Sequence, residues 1–184
     1  NLARSAERVL APLQQPDLSL RKLLVIDTPA TFFATSAEVL RDGKRTGDHA
    51  TFLSLGAGPG PRTDAYGYEW ALPQTIGLVA FHTGFVEEVS GWFSEIAVEF
   101  RDASGGWRPV RGVRVAPPFP GGNNPVEKAH FAEYLMFFEP VHAKAIRITG
   151  PVGAAKGYVK DPPLFTSITE LGVYGPVHGL QLLH

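Results

Sequence analysis

The stretch Ile76–Arg111, IGLVAFHTGFVEEVSGWFSEIAVEFRDASGGWRPVR, constrains this chain most. In its second half Ile96, Val98 and Phe100 alternate with Ala97, Glu99 and Arg101. A period of two puts apolar side chains on one face and polar ones on the other, as in a strand of a half-buried antiparallel sheet. Ala103-Ser104-Gly105-Gly106 then leads into Trp107-Arg108-Pro109-Val110. Gly-Gly in a short connection between two such runs predicts a hairpin. Ile76–His82 is a second apolar run of strand character, and the loop between the runs ends in Gly91-Trp92-Phe93.

The rest of the chain is punctuated in the same way. Its 184 residues hold 20 Gly and 16 Pro, which cut it into short runs and favour strands and turns over helices. Strands are predicted at Lys22–Asp27, Thr31–Thr35, Thr51–Leu55, Tyr66–Leu72, Ile76–His82, Ile96–Asp102, Trp107–Val115, Glu133–Glu139, Lys144–Thr149 and Ser167–Tyr174. Before them Leu2, Ala3, Ala6, Val9 and Leu10 recur at helical spacing until Pro12. A helix and an edge segment both fit there. The pattern predicts an all-β, antiparallel β-sandwich. An N-terminal segment (1–27) packs on the sandwich (28–176), and a short tail (177–184) follows.

Composition excludes several classes. Apolar content of 44% and charged content of 19% are those of an ordered globular domain. A net charge of −1 gives no electrostatic basis for a nucleic-acid partner. With no Cys there are no disulfides or thiolate metal sites. No apolar run is long enough to cross a membrane as a helix, and a membrane is not an expected partner. The chain begins at Asn1 without a signal-peptide pattern and is read as a mature or excised fragment.

If successive strands run antiparallel, their connections alternate between the two ends of the sandwich. Loops 56–65, 83–94, 116–132 and 150–166 then share one end. The turns 73–75, 103–106 and 140–143 share the other. Long loops on a rigid scaffold are where binding resides.

Four segments resemble the discoidin, or coagulation factor V/VIII type C, family. Val98–Val110 matches its strand that closes on a Trp and a Val. Phe138-Glu139-Pro140-Val141-His142-Ala143-Lys144-Ala145-Ile146-Arg147-Ile148 is similar to its F-x-P-V-x-A-R-x-V-R-I run. Phe165–Gly175 is similar to its closing S-I-x-E-L-x-V-Y-G, and Asp42-Gly43 to its early Asp-Gly loop. The resemblance covers about residues 28 to 176 and implies a jelly roll of the galactose-binding kind. It also implies glycan binding through loops at one end, and Trp107 packed between the sheets.

The candidate carbohydrate-binding residues at that end are Arg62, Tyr66, His82, Trp92, Phe119, Asn123, Asn124 and Tyr158. Flat aromatic faces suit the C–H faces of a sugar ring, and amides and charges suit its hydroxyls. For Trp92 two roles stand open, a sugar platform or an anchor that ties its loop into the core. The adjacent pair Glu87-Glu88 points to opposite faces of an extended chain and is not spaced for shared catalysis. The resemblance further implies a structural Ca²⁺ held by Asp42, Asp48 and Glu170, hard oxygen ligands of the kind calcium takes. None of G-x-S-x-G, H-E-x-x-H or a Walker loop is present, and no enzyme activity is expected. The expectation is a non-catalytic carbohydrate-binding module of a larger secreted protein, outside the cytoplasm, with a glycan and the parent's other domains as partners. The alternative is an interaction or structural domain that packs on neighbouring domains.

Overall fold

The computed structural model describes residues 22–24, 30–32, 43–45, 52–56, 63–88, 90–122, 130–155 and 164–176. Among them the regular elements are all strands: β1 (Lys22–Leu24), β2 (Ala30–Phe32), β3 (Phe52–Gly56), β4 (Thr63–Thr83), β5 (Ala97–Arg101), β6 (Trp107–Pro109), β7 (Arg114–Ala116), β8 (Glu133–Pro151) and β9 (Phe165–Tyr174). Every strand pair is antiparallel. The all-β expectation holds.

Two strands organise the sandwich. β4, of 21 residues, pairs along its length with β8, of 19. Their ladder skips between Glu69 and Gln74, where Ala145 and Ala143 are the partners. Four residues of β4, Trp70 to Pro73, thus face one of β8, Lys144, and so large a bulge bends the strand. The first half of β4 and the second half of β8 form one layer with β1, β5 and β6. The other halves form the second layer with β2, β3, β9 and β7. The layers face each other. Tyr66 and Phe81, from opposite halves of β4, both meet the Phe93 ring edge-on, at centroid distances of 5.8 and 5.9 Å.

This differs from the expected strand count. Tyr66–Leu72 and Ile76–His82 are one bent strand, and so are Glu133–Glu139 and Lys144–Thr149. Pro73 does not end β4, because it lies in the bulge, where its missing N–H leaves no ladder bond unmade. Conversely, Trp107–Val115 divides into β6 and β7, which belong to different layers. Gly112, at φ 66°, turns the chain between them, and Glu139 N–H bonds Arg111 O as it crosses. β1 draws residues of the expected N-terminal segment into the first layer.

The interior combines Tyr66, Tyr68, Trp70 and Ile76 with Val79, Phe81, Val98, Tyr134, Met136, Ile146, Ile148, Ile168 and Leu171. A register shift between Ile76 and Leu78 changes which residues of β4 face inward. After it Leu78 and Ala80 look outward, where they pack with Leu135, Tyr174 and Phe137. Trp107 departs from the core position implied by the resemblance. It is half-buried on the outer face of the first layer. The guanidinium carbons of Arg147 and Arg101 lie 4.1 and 4.9 Å from its ring centroid. Arg147 pairs with Glu99 at 2.9 Å and Arg101 with Glu69 at 3.2 Å.

The registers also fix the ends. Thr63 pairs with Pro151, His82 with Glu133 and Leu55 with Phe165. The connections 57–62, 84–96, 117–132 and 152–164 therefore leave from one end. The bend of β4 at Trp70–Pro73 and the turn after β5 lie at the other. At that turn Asp102 accepts from the Ser104 hydroxyl, the Arg108 guanidinium and the amides of Ser104 and Gly106. The Ser104 hydroxyl first, then Arg108, holds the Asp102 carboxyl well below the usual carboxylate range.

Candidate functional site

The loop end is built on buried polar clamps. Ser90 Oγ lies 3.0 and 3.1 Å from the backbone carbonyls of Gly153 and Phe165, either of which can take its one proton, and accepts from Phe165 N–H at 3.0 Å. Ser167 Oγ lies 2.6 and 2.9 Å from the carbonyls of Phe85 and Gly91. These hydroxyls pin both ends of the 84–91 segment to the start of β9. Beside them Thr166 Oγ1 donates to the fully buried Asp64 carboxylate at 2.6 Å. With that proton committed, Tyr66 OH donates to Thr166 Oγ1 at 2.6 Å. Each buried polar side chain of these clamps has a partner, as burial requires.

Trp92 fills the space between the loops. It is 2% exposed, and its Nε1–H donates to Gly122 O at 2.8 Å. Gly122 N–H returns a bond to Ser94 O. Gly153 packs so closely on the indole that a Cβ there would lie 2.0 Å from Nε1. Of the two roles open for Trp92 the structure selects the anchor, because an enclosed indole offers no face to a sugar.

The other expected residues divide into two groups. Tyr66 is interior, at 0% exposure, so its hydroxyl serves Thr166 rather than a ligand. His82 is 4% exposed and stands in a row across three strands, between Glu170 and Glu133. Its Nε2 is 2.9 Å from Glu133 Oε1, off the line of a hydrogen bond. The His82 contact, then the charges of His82 and Arg45, lower the Glu133 pKa against the opposing cost of burial. Phe119 packs edge-on against Tyr134 at 5.0 Å. Trp92, Tyr66 and His82 are enclosed and are corrected as direct ligand contacts, whereas Phe119 is half-buried and keeps part of its ring accessible. Arg62, Asn123, Asn124 and Tyr158 lie outside the described residues.

Of the expected calcium ligands, Asp42 and Asp48 also lie outside the described residues. Glu170 Oε2 accepts from Gly43 N–H at 3.0 Å. Thr169 Oγ1 donates to Arg45 O at 3.4 Å, and the Arg45 guanidinium lies 3.9 Å from Glu133. The Gly43–Arg45 turn is thus held over the Glu170–His82–Glu133 row. Among the described residues no three His, Asp or Glu side chains converge as a metal site.

What the end does present is an aromatic cluster absent from the expected set. Phe85 and His130 meet edge-on at 5.2 Å, and His130 and Phe131 at 4.3 Å. His130 is exposed, and both Phe rings are half-buried. Val86 N–H donates to His130 Nδ1 at 3.3 Å. Ala132 N–H bonds Thr83 Oγ1, and Thr83 N–H bonds Ala132 O. The two loops are zipped at the base of the cluster. Phe131 carries a left-handed backbone, φ 48°, a costly conformation for a bulky residue that the zipped loops hold in place. The sequence offered a signal: all three residues fall in loops already assigned to this end.

No protein-family model and no curated protein matches the sequence. Solved structures do. A structure of the Streptococcus pneumoniae β-galactosidase BgaA is 13% identical with a TM-score of 0.61, covering 89% of this chain and 96% of that one. The module CBM32-3 of a Clostridium perfringens family 31 glycoside hydrolase is 16% identical with a TM-score of 0.55, covering 84% and 90%. The CBM32-1 and CBM32-2 pair of Clostridium perfringens ZmpB, solved with GalNAc, is 13% identical with a TM-score of 0.57, covering 94% and 37%. At these identities the likeness is one of fold. The chain has the galactose-binding-like β-sandwich of the family 32 carbohydrate-binding modules, the fold that the discoidin resemblance implied.

Proposed function

We propose that this chain is a non-catalytic carbohydrate-binding module that holds a larger extracytoplasmic protein on a glycan through the loop end of its sandwich. The observation that carries the proposal is the Phe85–His130–Phe131 cluster, partly exposed on loops that buried clamps hold still. Ring faces pack against sugar C–H groups, and an imidazole edge bonds a hydroxyl. Preorganised loops lower the ordering cost of binding. The fold shared with carbohydrate-binding modules, among them the ZmpB pair solved with GalNAc, supports the same reading. A solvated sugar exchanges water bonds for protein bonds, so each site binds weakly, with Kd on the order of 1 mM, or about −4 kcal/mol. Calcium bound between the Asp42–Asp48 segment and Glu170 belongs to the proposal as a structural ion that stiffens this end.

The test is a glycan array probed in calcium and in chelator, with Phe131→Gly alongside. Glycine keeps the left-handed backbone and removes only the ring. A specific signal lost in Phe131→Gly, in a protein that melts normally, supports the site. A blank array from well-folded protein refutes the module and favours a domain that packs on neighbours.

A further inference from the structure

Glu87 and Glu88 lie next to the aromatic cluster and have no part in the clamps. Val86 N–H bonds His130 Nδ1, so the chain passes straight from the imidazole into Glu87. Glu87 N–H then bonds Ser90 O and closes a tip that carries Glu88. Both side chains are exposed. Ser90 at the tip's far side is buried and held by Gly153 and Phe165. Two exposed glutamates therefore sit on clamped backbone directly after the residue that bonds His130.

In the connections that carry them, among the described residues of 84–96, 117–122, 130–132 and 152–155, Glu87, Glu88 and Glu95 are charged and none is Lys or Arg. Lys44 and Arg45 stand at the same end over the Glu170–His82–Glu133 row, with the Arg45 guanidinium 3.9 Å from Glu133. The connection 123–129 adds Glu127 and Lys128, which cancel. Arg62, Lys156, Lys160 and Asp161 fall in connections outside the described residues.

We infer that this site selects uncharged sugars and that Glu87 and Glu88 enforce the selection. The inference rests on the glycan-binding reading above. Because His130 Nδ1 accepts from Val86, the neutral ring carries its proton on Nε2 and offers a donor to a hydroxyl. A carboxylate of the pair accepts from a neighbouring hydroxyl of the same sugar, as a charge-assisted bond. A sugar that bears its own carboxylate or sulfate brings a like charge to the rim and is rejected, which is selection by repulsion as well as by attraction.

The experiment compares a methyl galactoside with the methyl galacturonide that differs by one carboxylate at carbon 6. Binding of each is titrated by calorimetry to the full chain and to Glu87→Gln/Glu88→Gln, in low and in high salt. Glutamine keeps an acceptor oxygen and removes the charge. The expected result is at least a tenfold preference for the neutral sugar in low salt. That preference narrows severalfold in high salt, as the screening length falls to a few ångströms, and is largely lost in the double variant. Equal or tighter binding of the acid by the native chain would overturn the inference, and so would an unchanged ratio in the variant. If neither sugar binds and the array is also blank, the glycan reading itself fails. Because both residues are exposed, the variant's melting temperature should match the native one and certify its fold.

Discussion

Trp92 and Trp107 part company: Trp92 takes the anchoring one of its two open roles, and Trp107 leaves the core position that the resemblance implied. Trp92 sits in a loop, where an aromatic invites a binding role, and is enclosed at 2% exposure with its N–H on Gly122 O. Trp107 sits in a strand, where an aromatic invites a core role, and lies on the outer face between two arginines. Loop and strand are labels of backbone, whereas burial is decided by what stands opposite. Trp92 faces Gly153, and no side chain keeps the indole away. Trp107 pairs with Arg101 on β5, and that side of the sheet holds Glu69, Glu99 and Arg147.

The largest predicted effect tests the enclosed member. Trp92→Ala should cost about 3–5 kcal/mol in chemical denaturation, the range for a large aromatic deleted from a packed interior. Gly153→Ala should cost at least about 1–3 kcal/mol, because its new methyl overlaps the indole. Trp107→Ala should cost only about 1–2 kcal/mol, the sum of two partly exposed cation–π contacts and some packing. Equal costs at 92 and 107 would break the comparison. Salt sharpens it: 1 M NaCl should shrink the Trp107→Ala cost and leave that of Trp92→Ala unchanged, since guanidinium and carboxylate pairs are screened and buried packing is not. Iodide should quench the emission of Trp107 and spare Trp92 and Trp70, and Trp107→Phe should remove the quenchable fraction.

The smallest effect concerns the other outer face. The folded-state pKa of Glu133 is lowered, chiefly by His82. Its stabilising contribution is therefore present above the ordinary carboxylate range and fades as pH falls through the lowered value. Melting temperature should drop between pH 5 and pH 3, and His82→Gln should reduce that drop by an amount comparable to a partly exposed pair, below about 1 kcal/mol.

Much of this fold was legible, and for a stated reason. Alternation in Ile96–Asp102 reports a sheet face directly, and antiparallel succession places long loops together, as the registers of β3, β4, β8 and β9 confirm. The bends were not legible. Pro73 and Pro140 look like strand ends, yet a bulge absorbs the first and β8 runs on through the second. The candidate site was legible as an end where long loops gather and not as a set of residues. Tyr66 and Trp92 turn inward because Thr166 and Gly153 receive them, partners far away in sequence. Phe85, His130 and Phe131 come together through a zipper between two loops, and no local pattern encodes it.

The long shared ladder of β4 and β8 has an evolutionary consequence. Both layers take their alignment from one pair of strands, whose pivot lies at the end remote from the loops. Insertions, deletions and substitutions among the connections can then accumulate without disturbing how the layers meet. The same frame is then open to very different sequences, and the fold this chain shares with a solved structure at 13% identity is an instance of it.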